Sequence, residues 1–242
     1  MTARRAGRGL RVPAAIMRLG AGQLGGRALD PALPWPVQRK RLDQATRIAL
    51  LPRRTTVTEQ TIAGLRAGVV SSRAPGSGLT VIHFHGGGYC LGSAGMAQAW
   101  AAHLSVRTGC RVVLPEYRLA PEHPYPAALE DARTVMKTLS GAGPVVVSGD
   151  SAGGGLALAL ILSMRDAGQE LPPLLIQAGT EELLAPDAEL LAASASAAGV
   201  DMTYTRWPRM WHDFALQPGL LAAADSALAQ ASWFVSKVTA SR

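Results

Sequence analysis

Residues 144–160 read PVVVSGDSAGGGLALAL. An apolar, β-branched run stops at a hydroxyl and restarts as an alanine-leucine helix, so strand must become helix within three residues. Gly149-Asp150-Ser151-Ala152-Gly153 fits the G-x-S-x-G pattern and sits where that pattern belongs, between strand and helix. A tight βα turn would use Gly and Ser for ordinary conformational reasons. The chemical reading makes Ser151 a nucleophile on a strained elbow, with Gly149 and Gly153 present because the turn leaves no room for side chains. A helix starting at Ala152 aims its free N–H groups and positive dipole end at that serine.

A second glycine-rich stretch, HFHGGGYCLGS over residues 83–93, follows an apolar run. Gly86, Gly87 and Gly88 let the backbone approach a ligand without Cβ interference. Their amides can then meet a developing oxyanion, an effect of about 3–4 kcal/mol of barrier per donor. A flexible surface loop would explain the glycines but not the two histidines at its head. His85 is expected to brace the loop by hydrogen bonding, and His83 to point to the other side of the strand, into the core.

A serine nucleophile needs a base. Of the five histidines, His103 falls on a helical stretch and His123 in a proline-rich loop. His212, in WPRMWHDF, stands on an irregular stretch just after a late strand. An orienting acid should follow the strand before it, where QAGTEELLAPDAEL offers Glu181, Glu182 and Asp187. Such a carboxylate fixes the imidazole tautomer and stabilises the imidazolium that forms. Asp187 also reads as a helix cap.

These side chains need a scaffold, and the pattern supplies one. Strand-like runs lie at 56–62, 67–73, 79–85, 111–117, 143–150, 172–180 and 201–207, and from the third onward they alternate with helical stretches. The helical stretches cover 96–108, 126–141, 152–168, 187–199 and, at the end, 220–238. Strands alternating with helices imply an α/β fold, a mostly parallel sheet with helices on both faces. At 242 residues the chain suits one such domain with an appendage. Residues 1–54 form that appendage, a basic arm followed by an amphipathic cap helix within 34–51, and residues 55–242 form the α/β domain. The arm carries 12 of the 24 Lys and Arg against only Asp30 and Asp43. It lacks interleaved aromatics and any nucleic-acid-binding motif, so no nucleic-acid partner is expected. No apolar stretch reaches the roughly 18 residues that span a bilayer, and Arg18 interrupts a signal-like core. Cys90 and Cys110 fit neither a disulfide framework nor a metal spacing, so no metal or other cofactor is expected and the setting is taken as cytoplasmic.

Taken together, HGGGYCLGS, YRLAPEHPYPAALEDA, GDSAGGGLALAL, LPPLLIQAGTEELL and WPRMWHDF resemble the hormone-sensitive-lipase-type bacterial esterases of the α/β-hydrolase fold. The resemblance runs from about Pro34 to the last helix. It implies Ser151, His212 and a carboxylate as the catalytic triad, with Gly86, Gly87 and Ala152 as oxyanion donors. His85, Gly88, Gly149, Asp150 and Gly153 would support the motifs. In such esterases the acid lies about thirty residues before the histidine, which selects Glu182, with Asp187 as the alternative. The implied substrate is a small ester with a short acyl group, a lactone or an acetyl ester. Members of the family often dimerise, which leaves a homodimer open.

The resemblance also exposes a deletion. Relatives continue after the elbow helix with a further strand and a group of helices, roughly sixty residues that are absent here. The expected accommodation moves residues 174–179 over by one sheet position, about 4.8 Å, to lie beside 144–150. The acid and histidine would then come one strand nearer the serine. Losing this wall opens the pocket to water, against tight binding of long acyl chains. The deletion leaves a competing reading, an inactive remnant of the fold or a binding protein.

Overall fold

The structure is a computed structural model and describes residues 12–19, 29–46, 51–73 and 76–240. The remainder of the basic arm (1–11 and 20–28) and of the expected 34–51 helix (47–50) lies outside the described residues. Helix α1 covers Trp35–Thr46. A hairpin follows, β1 (Thr55–Ile62) and β2 (Leu65–Ser72), turned by Ala63 and Gly64 at positive φ, as a two-residue loop matched to strand twist requires. Next come β3 (Thr80–Phe84), α2 (Gln98–Thr108), β4 (Arg111–Pro115), α3 (Ala127–Ser140) and β5 (Val145–Gly149). The chain continues through α4 (Ala152–Asp166), β6 (Leu174–Gly179), α5 (Ala185–Ala197), β7 (Met202–Trp207) and α6 (Ala222–Ala240). Helix α5 begins two residues before Asp187, which therefore stands in the first turn rather than at the cap.

Five strands pair in the order β1-β2-β4-β3-β5. The outer pairs β1–β2 and β2–β4 are antiparallel, and β4–β3 and β3–β5 are parallel. Two apolar layers sandwich this sheet. On one face Val81, Val112 and Leu114 pack against Leu104 and Ala101 of α2 and Leu228 and Val235 of α6. On the other, Ile82, Phe84 and Val113 pack against Val135 and Leu139 of α3 and Leu156 and Leu160 of α4. Arg118 locks α3 to the chain leaving β4 through its Nε, 2.9 Å from Asp131 Oδ1.

The remaining strands overturn the expected shift. β6 pairs in parallel with β7 alone, and the two form a separate ribbon. β5 and β6 do not pair, and the seam between them borders a cavity lined by both strands. Two features keep β6 from sliding over. Residues 167–173 connect α4 to β6 and can reach about 23 Å when extended, so the link does not force adjacency. In addition β6 is tied to α6, which covers one face of the sheet: Gln177 Nε2 donates to Ala227 O at 3.0 Å and to Gln230 Oε1 at 2.7 Å.

Candidate active site

All the implicated side chains sit at the C-terminal ends of β3, β5, β6 and β7. Ser151 follows β5 with φ 51° and ψ −123°, a left-handed conformation that costs a non-glycine residue about 1–3 kcal/mol. The elbow is as tight as its sequence implies. A Cβ on Gly149 would lie 2.2 Å from Gly153 O, and one on Gly153 would lie 2.0 Å from Phe84 O.

His212 and Glu182 reach Ser151 across the seam. His212 Nε2 is 2.8 Å from Ser151 Oγ, and Nδ1 is 2.7 Å from Glu182 Oε2. Glu182 Oε1 accepts the Gly179 N–H at 3.0 Å, which fixes the carboxylate at the end of β6. The hydrogen bond that His212 Nδ1–H donates to Glu182 raises the His212 pKa above its ordinary value, against an opposing effect of burial. Asp187 has no hydrogen bond to His212 among the described residues, and Glu181 pairs instead with Arg18 of the arm.

The glycine loop presents its three amides differently. Gly86 N–H donates to Asp150 Oδ2 at 3.0 Å, so this amide is occupied and not free for an oxyanion. The amides of Gly87, Gly88 and Ala152 have no acceptor among the described residues. Gly87 and Gly88 take φ 115° and 62°, and a Cβ on Gly87 would meet Leu91 O at 2.3 Å. Glycine is therefore required at position 87 by space as well as by dihedral angle.

His85 lies 1% exposed. Its Nδ1–H donates to Gly86 O at 2.7 Å, and its ring stacks on Tyr117 at 4.4 Å between centroids. Burial pushes its pKa down, consistent with a neutral bracing ring. The Tyr117 hydroxyl donates to His85 O at 2.6 Å.

Two groups carry more than sequence reasoning gave them. Asp150, the variable position of the elbow pattern, holds the glycine loop through Gly86 and also binds His83 Nε2 at 3.0 Å, while His83 Nδ1 meets Ser148 Oγ at 3.0 Å. A buried His two residues before the loop and an Asp before the serine are visible in the sequence, but only the β3–β5 register brings them together. The second is Asp213, whose Oδ2 lies 3.6 Å from His212 Nε2. Burial, and then the charge of Asp150, push its pKa upward.

Helix α1 rests on the same region. Arg39 donates to Cys90 O and Ala120 O, each at 2.8 Å, and pairs with Glu122. A cavity of about 1320 Å³ runs from Ser151, Glu182 and His212 into the seam between β5 and β6. No cluster of potential metal ligands occurs among the described residues, and no described helix is long and apolar enough to cross a membrane.

A family model described as alpha/beta hydrolase fold matches residues 81–171 and 168–216. The two pieces meet at the link before β6, where the seam begins. An acetyl-hydrolase of Streptomyces hygroscopicus is 30% identical over 202 residues, 56% of this chain and 68% of that protein. The esterase LipU of Mycobacterium tuberculosis is 26% identical over 286 residues, 86% of this chain and 95% of that protein. That alignment is longer than the 242 residues of the present chain, so the relative carries residues that have no counterpart here. Among solved structures, an esterase/lipase from an uncultured bacterium superposes with a TM-score of 0.83 at 27% identity, covering 95% of this chain and all of that one. A family-model match over more than half of the sequence, carried on a sheet-and-helix architecture that overlays a solved esterase/lipase along nearly its whole length, places this chain in the α/β-hydrolase family.

Proposed function

We propose that the protein is a serine carboxylesterase acting on esters with short acyl groups, acetyl esters and lactones included. The observation that carries this reading is the unbroken line Ser151 Oγ, His212, Glu182, at 2.8 and 2.7 Å. Ser151 attacks the ester carbonyl carbon while His212 Nε2 takes its proton. The negative oxygen of the tetrahedral adduct is held by the amides of Gly87, Gly88 and Ala152. His212 then returns the proton to the departing alcohol, and water resolves the acyl-enzyme by the same steps in reverse. Glu182 keeps Nδ1 protonated and compensates the imidazolium charge. The names of the relatives, an acetyl-hydrolase and an esterase, support a small ester as substrate.

The competing reading, a non-catalytic remnant, has one observation in its favour, the missing strand. The intact line of three groups weighs against it. A fluorophosphonate probe separates the two. Labelling is expected on Ser151, is abolished by Ser151→Ala and falls steeply in His212→Ala. The Ser151→Ala variant should lose about 10⁴-fold or more of p-nitrophenyl acetate turnover. A folded protein that takes no label at Ser151 would overturn the esterase reading.

A further inference from the structure

We propose that the seam between β5 and β6 is a docking slot for an extended apolar strand of a separate polypeptide, which adds in parallel to both edges at once. The backbone groups define this occupant. Thr80 N–H donates to Pro144 O and Asp150 N–H to Phe84 O, so the alternation of a parallel ladder turns the N–H and C=O of Val145 and Val147 away from β3. Likewise Leu174 N–H donates to Asp201 O and Thr180 N–H to Trp207 O, which turns Leu175 and Gln177 away from β7. All four residues border the same cavity, and their backbone groups have no partner among the described residues. An acyl chain could fill the volume but would leave these donors and acceptors unpaired, whereas a peptide strand pairs them on both sides.

The walls specify its side chains. Ala157 and Ile161 of α4 and Phe234 and Val238 of α6 line the cavity, and α4 and α6 belong to the layers on opposite faces of the sheet. The occupant must therefore be apolar on both faces, as buried parallel strands are. The five to six residues of β5 and β6 set its length at about 16–20 Å. The chain's own candidates do not fit. Residues 1–11 and 20–28 are rich in Arg and Gly with almost no β-branched residues. In a second copy, the outer strand β1 is exposed along most of its length and reads TTVTEQTI, too polar for this interior. The two pieces of the family match meet at the same place.

Docking would also fix the separation across which Ser151, after β5, meets Glu182, after β6. This consequence rests on the esterase reading, whereas binding does not. The test uses the full chain with the peptide acetyl-KKVIVAVKK-amide and the control acetyl-KKVPVPVKK-amide, followed by residue-resolved hydrogen exchange. The first peptide is expected to slow exchange at Val145, Val147, Leu175 and Gln177 by about ten-fold or more, and the control to leave all four unchanged. Val147→Pro and Leu175→Pro each delete one slot-facing donor and should weaken protection; either one, if folded by circular dichroism, suffices. The slot is refuted by an absence of protection at saturating peptide, or by slow exchange at all four amides in the free monomer. Protection that rises with protein concentration alone would assign the seam to a second copy, and protection by decanoate but not by peptide would assign it to an acyl chain. Each of these also overturns the proposal. Hydrolysis of p-nitrophenyl acetate is read in parallel and should rise with the first peptide. Turnover without protection removes the slot and keeps the esterase, and protection in a protein that never turns over ester does the reverse.

Discussion

His212 stands between two carboxylates that act on it differently. Glu182 holds Nδ1 at 2.7 Å and is anchored by a backbone amide, while Asp213 approaches Nε2, the atom that faces Ser151, at 3.6 Å. A carboxylate bound to Nδ1 favours the imidazolium and so raises the pKa; a general base must be neutral to accept a proton. The rate should therefore fall on the acid side through a midpoint above histidine's ordinary value of about 6.5. Removing the carboxylate charge in Glu182→Gln lowers that midpoint and reduces kcat by about 10³–10⁴-fold. A pH profile of kcat/KM on p-nitrophenyl acetate measures both changes. An unmoved midpoint would mean that Glu182 does not set the protonation of His212.

Among the elements, the turn from β5 into α4 bears the tightest constraint. Its strand, its serine and its helix are held in one conformation because a Cβ on Gly149 or Gly153 would lie 2.2 or 2.0 Å from a backbone oxygen. Gly153→Ala drives a methyl group into the Phe84 carbonyl. It is expected to cost about 1–3 kcal/mol as β3 and α4 separate, read as a lower midpoint in urea with the slope unchanged. Gly168→Ala, where a Cβ would meet nothing within 4 Å, provides the contrast. It carries the strain of a positive φ, 87°, but no collision, and should cost less. These glycines were legible as a pattern, since the elbow and the HGGG loop announce themselves by spacing. The occupation of the Gly86 amide by Asp150 was not, because it depends on which residue of β5 stands beside β3.

At the scale of the whole molecule, the protein is a five-stranded sheet and a two-stranded ribbon joined mainly through α6 and the site itself. A central strand such as β3 has neighbours on both sides and is almost fully buried; β6 has one neighbour and is half-buried over its first four residues. Native-state exchange should thus divide along the seam. The β6 amides paired with β7, such as Ile176 and Ala178, should exchange about ten-fold or more faster than Val81 and Ile82 of β3. Equal rates would show that the two units open as one.

Read alone, the chain declared its fold class and the serine and histidine that the structure brings together, in the order in which they occur. Those depend on local chemistry: periodicity, glycine spacing and the few histidines available on irregular backbone. It also declared that a strand was missing, by comparison with the motifs on either side. How that loss is accommodated was misjudged, and only the packed structure decided it. Pairing between β5 and β6 is a contest between one open edge and the tertiary ties of Gln177 to α6 and of β6 to β7, and no local pattern encodes that balance. The same long-range register brings Glu182, and not Glu181 or Asp187, to His212 and pairs the Gly86 amide with Asp150, because hydrogen bonds between distant strands are settled by where the sheet places them.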